Sequence, residues 1–120
     1  MSALAERLLA AVERFEALAT LREKATVAGT PARVRGASGS VASLLVAALA
    51  RTPGLAVAVI APDIERAEAW RDDLAFLLGD DRVVYLPPLD VVAWSAQTAT
   101  APVRDDRLHA LLRLGDPDPP

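Results

Sequence analysis

A glycine-rich stretch in the first third of the chain has the spacing of a phosphate-binding loop. A working loop reads Gly, four residues, Gly, Lys and then Ser or Thr. Its backbone amides cradle phosphates, its lysine neutralises their charge and its hydroxyl holds Mg²⁺. Here Gly36 takes the first position and Ser43 the hydroxyl position. Val41 stands where the second glycine belongs, and Ala42 stands where the lysine belongs.

These two replacements remove features that hold a nucleotide. Valine disfavours the positive-φ backbone that glycine tolerates, and alanine offers no cation to the β- and γ-phosphates. We therefore expect no useful ATP binding, no bound cofactor and no catalytic residue in this segment. The simpler interpretation, that Gly36 and Gly39 only make a tight turn from strand to helix, ranks above a residual phosphate role. Weak anion binding at the helix N-terminus stays open.

Other groups with metal or nucleic-acid chemistry give no stronger signal. The chain has no Cys and only one His, which excludes a thiolate or histidine metal cluster. Four aspartates in one predicted helix and its terminal turn have no phosphate site beside them and indicate a solvated acidic face: Asp72, Asp73, Asp80 and Asp81. The net charge of −3 lacks the basic stripe of a domain that binds DNA phosphates directly. We expect neither a metal nor a direct DNA contact.

No stretch has the pattern of a targeting or membrane-spanning segment. Residues 1–18 carry Glu6, Glu13 and Glu16 among their leucines, so the basic start and apolar run of a signal peptide are missing. No run approaches the ~20 charge-free apolar residues that cross a bilayer. We therefore expect a cytoplasmic protein with no membrane partner.

Apolar spacing predicts the helices that would position the loop. Residues 1–27 are assigned to an N-terminal amphipathic helix, whose apolar stripe is Leu4, Leu8, Val12 and Phe15. Residue 63 is an aspartate and residue 79 a glycine, which predicts a capped helix between them. The remaining predicted helices, with this one, cover residues 41–50, 64–78 and 103–114.

Three β-prone runs alternate with these helices, at residues 32–35, 55–61 and 82–86. The second run is continuous and rich in Val and Ile, which is typical of a central parallel strand covered on both faces. The alternation predicts right-handed crossovers. We therefore predict an α/β fold over residues 28–114, with a three-layer parallel sheet of the phosphate-loop NTPase type that is degenerate and incomplete. Residues 115–120 are interpreted as a Pro-rich linker or a truncated end.

Several short motifs, taken in order, resemble the N-terminal module of bacterial transcription-repair coupling factors, which is similar to a component of the excinuclease that acts in nucleotide excision repair. They are Gly-Ala-Ser-Gly-Ser at 36–40, Val-Ile-Ala-Pro-Asp at 59–63 and Leu-Pro-Pro-Leu-Asp-Val-Val-Ala-Trp-Ser at 86–95. The last is followed by Arg-Asp-Asp-Arg-Leu at 104–108. Ala93 and Trp94 depart from the family pattern, which often has Pro and Tyr there. The strand expected after the last helix is also missing, which indicates a fragment.

The resemblance covers residues 28–114 and implies a function. The full family protein is an ATP-dependent DNA translocase that displaces stalled RNA polymerase and recruits nucleotide excision repair. None of its motor motifs occurs in this sequence, so the chain is expected to be a non-enzymatic regulatory and interaction module. The implied partners are the remaining domains of the same protein and the excinuclease A subunit, whose main contact region lies outside these residues. RNA polymerase and DNA are contacted through other domains.

Two side chains are candidate interdomain contacts by this resemblance. Trp94 lies in an irregular segment and would dock either on the predicted sheet or on a following domain. Arg107 belongs to the Arg-Leu pair near the start of the last helix.

Two other interpretations stay open. A small-ligand or nucleotide-binding doubly wound domain would bind at the carboxyl ends of its strands, near Ser38, Asp63 and Pro87. A structural fragment would be stable only when further chain completes its sheet, because unpaired edges are poorly protected.

Overall fold

The computed structural model describes residues 2–29, 31–91 and 97–115. In these ranges the chain forms α-helices and one short 3₁₀ turn, and no β-strand. The α-helices are α1 (Ala3–Val12), α2 (Glu16–Thr26), α3 (Ser40–Ala50), α4 (Ile64–Leu78) and α5 (Ala101–Leu114), and the 3₁₀ turn covers Asp80–Arg82.

The predicted α/β fold is wrong for the described residues, because its three-layer parallel sheet of the phosphate-loop NTPase type is missing. The three runs expected to be strands, 32–35, 55–61 and 82–86, have no regular secondary structure beyond the end of the 3₁₀ turn at residue 82. β-propensity reports how well a side chain fits a pleated, half-buried surface, and such a surface exists only when neighbouring strands supply it. Here the helices bury their apolar faces against one another instead.

The core forms where α1, α2, α3 and α4 meet. Its buried members are Ala5, Leu9, Val12, Leu18, Ala47, Ala48, Leu77 and Leu78. The α3 alanines in this set are fully buried, and side chains this small let neighbouring helices approach closely. The apolar α3 sequence, expected to be covered by a sheet, is thus covered by α1 and α4.

The predicted helix 64–78 is confirmed at both ends. Asp63 Oδ1 accepts a hydrogen bond from the backbone amide of Arg66 at 2.7 Å, which satisfies one of the free N–H groups of the first turn. Gly79 ends the helix with a φ of 99°, a conformation that L side chains rarely adopt. The predicted helices 41–50 and 103–114 are present with one or two extra residues at their N-termini.

The N-terminal region forms two helices rather than the single amphipathic helix predicted over 1–27. The chain leaves helical geometry after Val12, and Phe15 precedes α2 with an extended backbone. Position 15 therefore does not continue the α1 stripe, and its side chain is 62% exposed. The buried face of α1 consists of Ala5, Leu9 and Val12, which is shifted by one residue from the predicted stripe over the first two turns.

Arg22 connects the two N-terminal helices to α3. Its guanidinium binds the Glu13 carboxylate through two N–H groups, at 2.5 Å and 2.6 Å. The same side chain donates to the Ala48 carbonyl at 2.9 Å and to Thr52 Oγ1 at 3.1 Å. One arginine thus fixes the end of α1, the middle of α2 and the end of α3 relative to one another.

The C-terminal half is attached more loosely to this helical core. The radius of gyration is 16.1 Å, against about 13.6 Å expected for a compact domain of this length. In α5 only Ala110 is buried, while Leu108, Leu111 and Leu112 are exposed. Gly115 ends α5, and the rest of the predicted Pro-rich end lies outside the described residues.

Candidate functional site

The glycine loop leads directly into α3, as the phosphate-loop pattern requires. Gly36 has a φ of 80° and Gly39 a φ of 55°, so both take left-handed conformations that favour glycine. A Cβ atom would meet no other group at either position, which means that backbone conformation alone selects glycine there. Gly39 is the residue before α3 and offers no side-chain cap.

The first turn of α3 does not present a free set of amides to a ligand. The Val41 amide donates to the Ser38 carbonyl, and the Ala42 amide donates to the Gly39 carbonyl, each at 3.3 Å. Val41 is 50% exposed, and Ala42 is half-buried. Both positions lie within the helix, so the second glycine and the lysine of a working loop are replaced by helix-forming structure.

Ser43, at the position of the magnesium-binding hydroxyl, faces the core instead of the loop. It is 4% exposed, and its Oγ donates to Asp73 Oδ2 at 2.6 Å. A hydrogen bond to a carboxylate stabilises a fold by about 1.5–3 kcal/mol, and it satisfies a buried hydroxyl. This contact joins α3 to α4, so the hydroxyl has a structural partner within the chain.

The alternative site at Ser38, Asp63 and Pro87 has no sheet edge to assemble it. Each residue has a local role: the Ser38 carbonyl accepts from Val41, Asp63 caps α4, and the Pro87 carbonyl accepts from the Arg107 guanidinium. The carboxyl ends of parallel strands, which would have brought these residues together, do not exist in the described residues.

The four aspartates singled out in the sequence do not form a common site. Asp73 accepts from Ser43, and Asp72 pairs with the neighbouring Arg71 at 2.8 Å. Within the described ranges, no group of three or more His, Asp or Glu side chains is arranged to hold a metal ion.

A shallow cleft of about 320 Å³ lies between α4, the residues after the 3₁₀ turn and α5. The Arg71 guanidinium stands over the Tyr85 ring at 5.3 Å from its centroid, a distance at which the cation is attracted to the ring face. His109 and Arg113 line the opposite wall. Sequence reasoning missed this cleft, because no sequence interval relates Tyr85 to residues of α4 and α5.

A carboxylate clasp connects the segment after residue 86 to the start of α5. Asp90 accepts from the Thr100 hydroxyl at 2.6 Å and from the Thr100 amide at 3.2 Å. The hydroxyl hydrogen bond is the main reason that the pKa of Asp90 is below its ordinary value, and the amide adds to it. The best-matching family stretch therefore contains a residue that positions α5, a role that its sequence context did not suggest.

The two candidate interdomain residues differ in what can be said of them. Trp94 lies outside the described residues. Arg107 is half-buried, and its guanidinium donates to the Pro87 carbonyl. Pro87 is buried, so Arg107 holds α5 against the segment that precedes the clasp.

The most unusual surface of the chain is the segment 55–61, Leu-Ala-Val-Ala-Val-Ile-Ala. Val57 and Val59 are exposed, and Ile60 is 96% exposed. The N–H groups of residues 56–61 and the carbonyls of residues 55–61 make no hydrogen bond with other described residues. An apolar run with unpaired backbone polar groups is a template for strand pairing. The sequence identified this run as β-prone, but predicted that it would be buried.

None of the helices in the described ranges is long and apolar enough to cross a bilayer. Comparison of the chain with protein-family profiles, characterised protein sequences and solved structures gave no match.

Proposed function

We propose that this chain is a non-hydrolysing regulatory and interaction module of a transcription-repair coupling factor, acting in the cytoplasm. The observation that carries the proposal is the state of the loop. Its glycines take left-handed conformations, but the cation position is Ala42 and the Ser43 hydroxyl is bonded to Asp73. The ordered motifs at 36–40, 59–63 and 86–95 support the choice of family.

In this proposal the chain works by contact rather than by chemistry. Its partners are the remaining domains of the same protein, which it restrains, and the excinuclease A subunit, whose main contact region lies outside these residues. Other domains contact RNA polymerase and DNA. The exposed leucines of α5, Leu108, Leu111 and Leu112, follow helical spacing and offer an apolar face for such a contact.

Calorimetric titration with ATP and Mg²⁺ tests the loss of nucleotide binding. The natural chain should give no saturable heat, because it lacks both the cation and the free hydroxyl. The variant Val41→Gly with Ala42→Lys supplies backbone freedom and charge, so weak binding that is independent of Mg²⁺ is expected. Adding Asp73→Ala releases Ser43 and should introduce a dependence on Mg²⁺. Tight binding by the natural chain would contradict the proposal.

The regulatory role is tested by adding the chain in trans to a coupling-factor translocase whose own N-terminal module has been removed. Restraint predicts a lower ATPase rate that saturates with chain concentration. The variant Leu108→Lys with Leu112→Lys should lose the effect, while Leu4→Lys, an exposed leucine on α1, serves as the matched control. An ATPase rate unaffected by the natural chain would sink the regulatory assignment.

The cleft at Tyr85 favours a second candidate function, binding of a small ligand. Its lining combines an aromatic ring, two arginines and a histidine, groups that suit an anionic ligand with a flat ring, such as a nucleotide. Binding at this cleft would be reduced by Arg113→Ala and unaffected by Val41→Gly, which separates it from binding at the loop. A nucleotide titration without heat for the natural chain excludes this candidate for nucleotides.

A further inference from the structure

We propose that residues 55–61 form an intermolecular β-ladder with the same residues of a second copy, in antiparallel orientation. The segment is apolar and exposed, and its backbone donors and acceptors have no partners among the described residues. Hydrogen-bonding groups of this kind are satisfied best by another extended backbone. This inference is independent of the proposed repair function.

The side chains of the segment complement a second copy of themselves. In an antiparallel pair centred on Ala58, Leu55 faces Ala61, Ala56 faces Ile60, and Val57 faces Val59. Large side chains therefore stand opposite small ones, and the central pair joins two β-branched residues, a favourable cross-strand combination. Gly54 faces Pro62 at both ends, and because proline lacks an N–H group the ladder stops there.

The charges at the two ends select the antiparallel orientation. Exposed Arg51 precedes the segment and exposed Glu65 follows it. An antiparallel pair places Arg51 of each copy at the same end as Glu65 of the other copy, whereas a parallel pair places like charges together. The ends of one copy are thus complementary to the reversed ends of another. This complementarity is the reason to choose a second copy over a foreign strand.

Sedimentation velocity over about 1 μM to about 1 mM, the range of weak association, tests the pairing. The natural chain should form a dimer as concentration rises. Ala58→Pro and Val59→Pro remove neighbouring N–H groups that point to opposite edges of a strand, so at least one of them must abolish the dimer. Val34→Pro, in another exposed irregular segment, is the matched control and should leave it intact. A chain that remains monomeric overturns the proposal, even if a foreign strand binds to 55–61.

Charge reversal tests the orientation. Arg51→Glu should weaken the dimer by about tenfold, because two attractive pairs become repulsive. Arg51→Glu with Glu65→Arg should restore it if the pairing is antiparallel, but not if it is parallel. Circular dichroism of each variant checks that the helices remain, since Arg51 also acts on Glu13. In a mixed sample of labelled and unlabelled chains, isotope-filtered contacts between Val57 and Val59 methyls of different copies support the register, and Val57–Val57 contacts overturn it.

Discussion

Leu9 and Ile60 are aliphatic side chains of equal size, yet the first is fully buried and the second is 96% exposed. Leu9 belongs to α1, which packs against α3 and α4 in the helical core. Ile60 belongs to an apolar segment that no described element covers. The difference teaches that hydrophobicity alone does not bury a residue in this chain. An apolar residue becomes core only where a second element offers a surface of matching shape.

The largest effect is expected from truncating the buried member of this pair. Leu9→Ala should lower the free energy of unfolding by about 2–5 kcal/mol, because it leaves a cavity among packed helices. Ile60→Ala should change it by less than about 0.5 kcal/mol, because the side chain makes few contacts to lose. Urea unfolding followed by circular dichroism measures both, under dilute conditions in which chains do not associate. Equal losses would show that the two regions share one core.

Arg22 tests whether polar contacts fix the helical half as firmly as its apolar ones. Arg22→Ala removes hydrogen bonds to Glu13, Ala48 and Thr52, and should cost about 1–3 kcal/mol of unfolding free energy. Arg7→Ala, on the exposed side of α1, is the matched control and should have an effect near zero. A cost as small as that of the control would show that packing alone orients α2.

The Glu13–Arg22 pair should also make the helical half sensitive to acid. The hydrogen bonds from Arg22 lower the pKa of Glu13 in the folded chain, so the unfolded chain binds this proton first as pH falls. The stabilisation is therefore present at neutral pH and is lost below about pH 4.3, the pKa of an unperturbed glutamate. Glu13→Gln should flatten the pH dependence of the melting temperature in this range. A slope identical to that of the natural chain would contradict the pairing.

The smallest effect on global stability is expected at the clasp between Asp90 and Thr100, which is fully exposed to water. Thr100→Val removes the hydroxyl donor and should speed hydrogen exchange in the first turn of α5, with little change in the melting temperature. Thr98→Val is the control, since Thr98 is exposed and lies just before the clasp. Exchange that rises equally in both variants would assign the protection to something other than this hydrogen bond.

The sequence predicted helices well and their assembly poorly. Helix 64–78 was predicted to the residue because Asp63 and Gly79 act locally, through caps that need no distant partner. The single helix over 1–27 failed at Glu13–Phe15, where Arg22 holds the end of α1 from a position further along the chain. The sheet failed because strands depend on neighbours, which a run such as 55–61 does not specify.

The candidate site divides in the same way. The positions at which the loop departs from a phosphate-binding pattern are visible in the letters Val41 and Ala42. The engagement of Ser43 by Asp73 is not, because these residues are joined only when α3 lies against α4. The Arg71–Tyr85 stack and the Asp90 clasp are also contacts between residues that are separated in sequence, and no local signal announces them.

The bond between Ser43 and Asp73 gives the loop a direction in evolution. Substitutions at positions 41 and 42 can be reversed one at a time, with little consequence for the rest of the chain. The hydroxyl is different, because returning it to a metal ion would leave the Asp73 carboxylate without its partner at the α3–α4 contact. A lineage that takes such a group into its interior makes the old activity harder to regain than it was to lose.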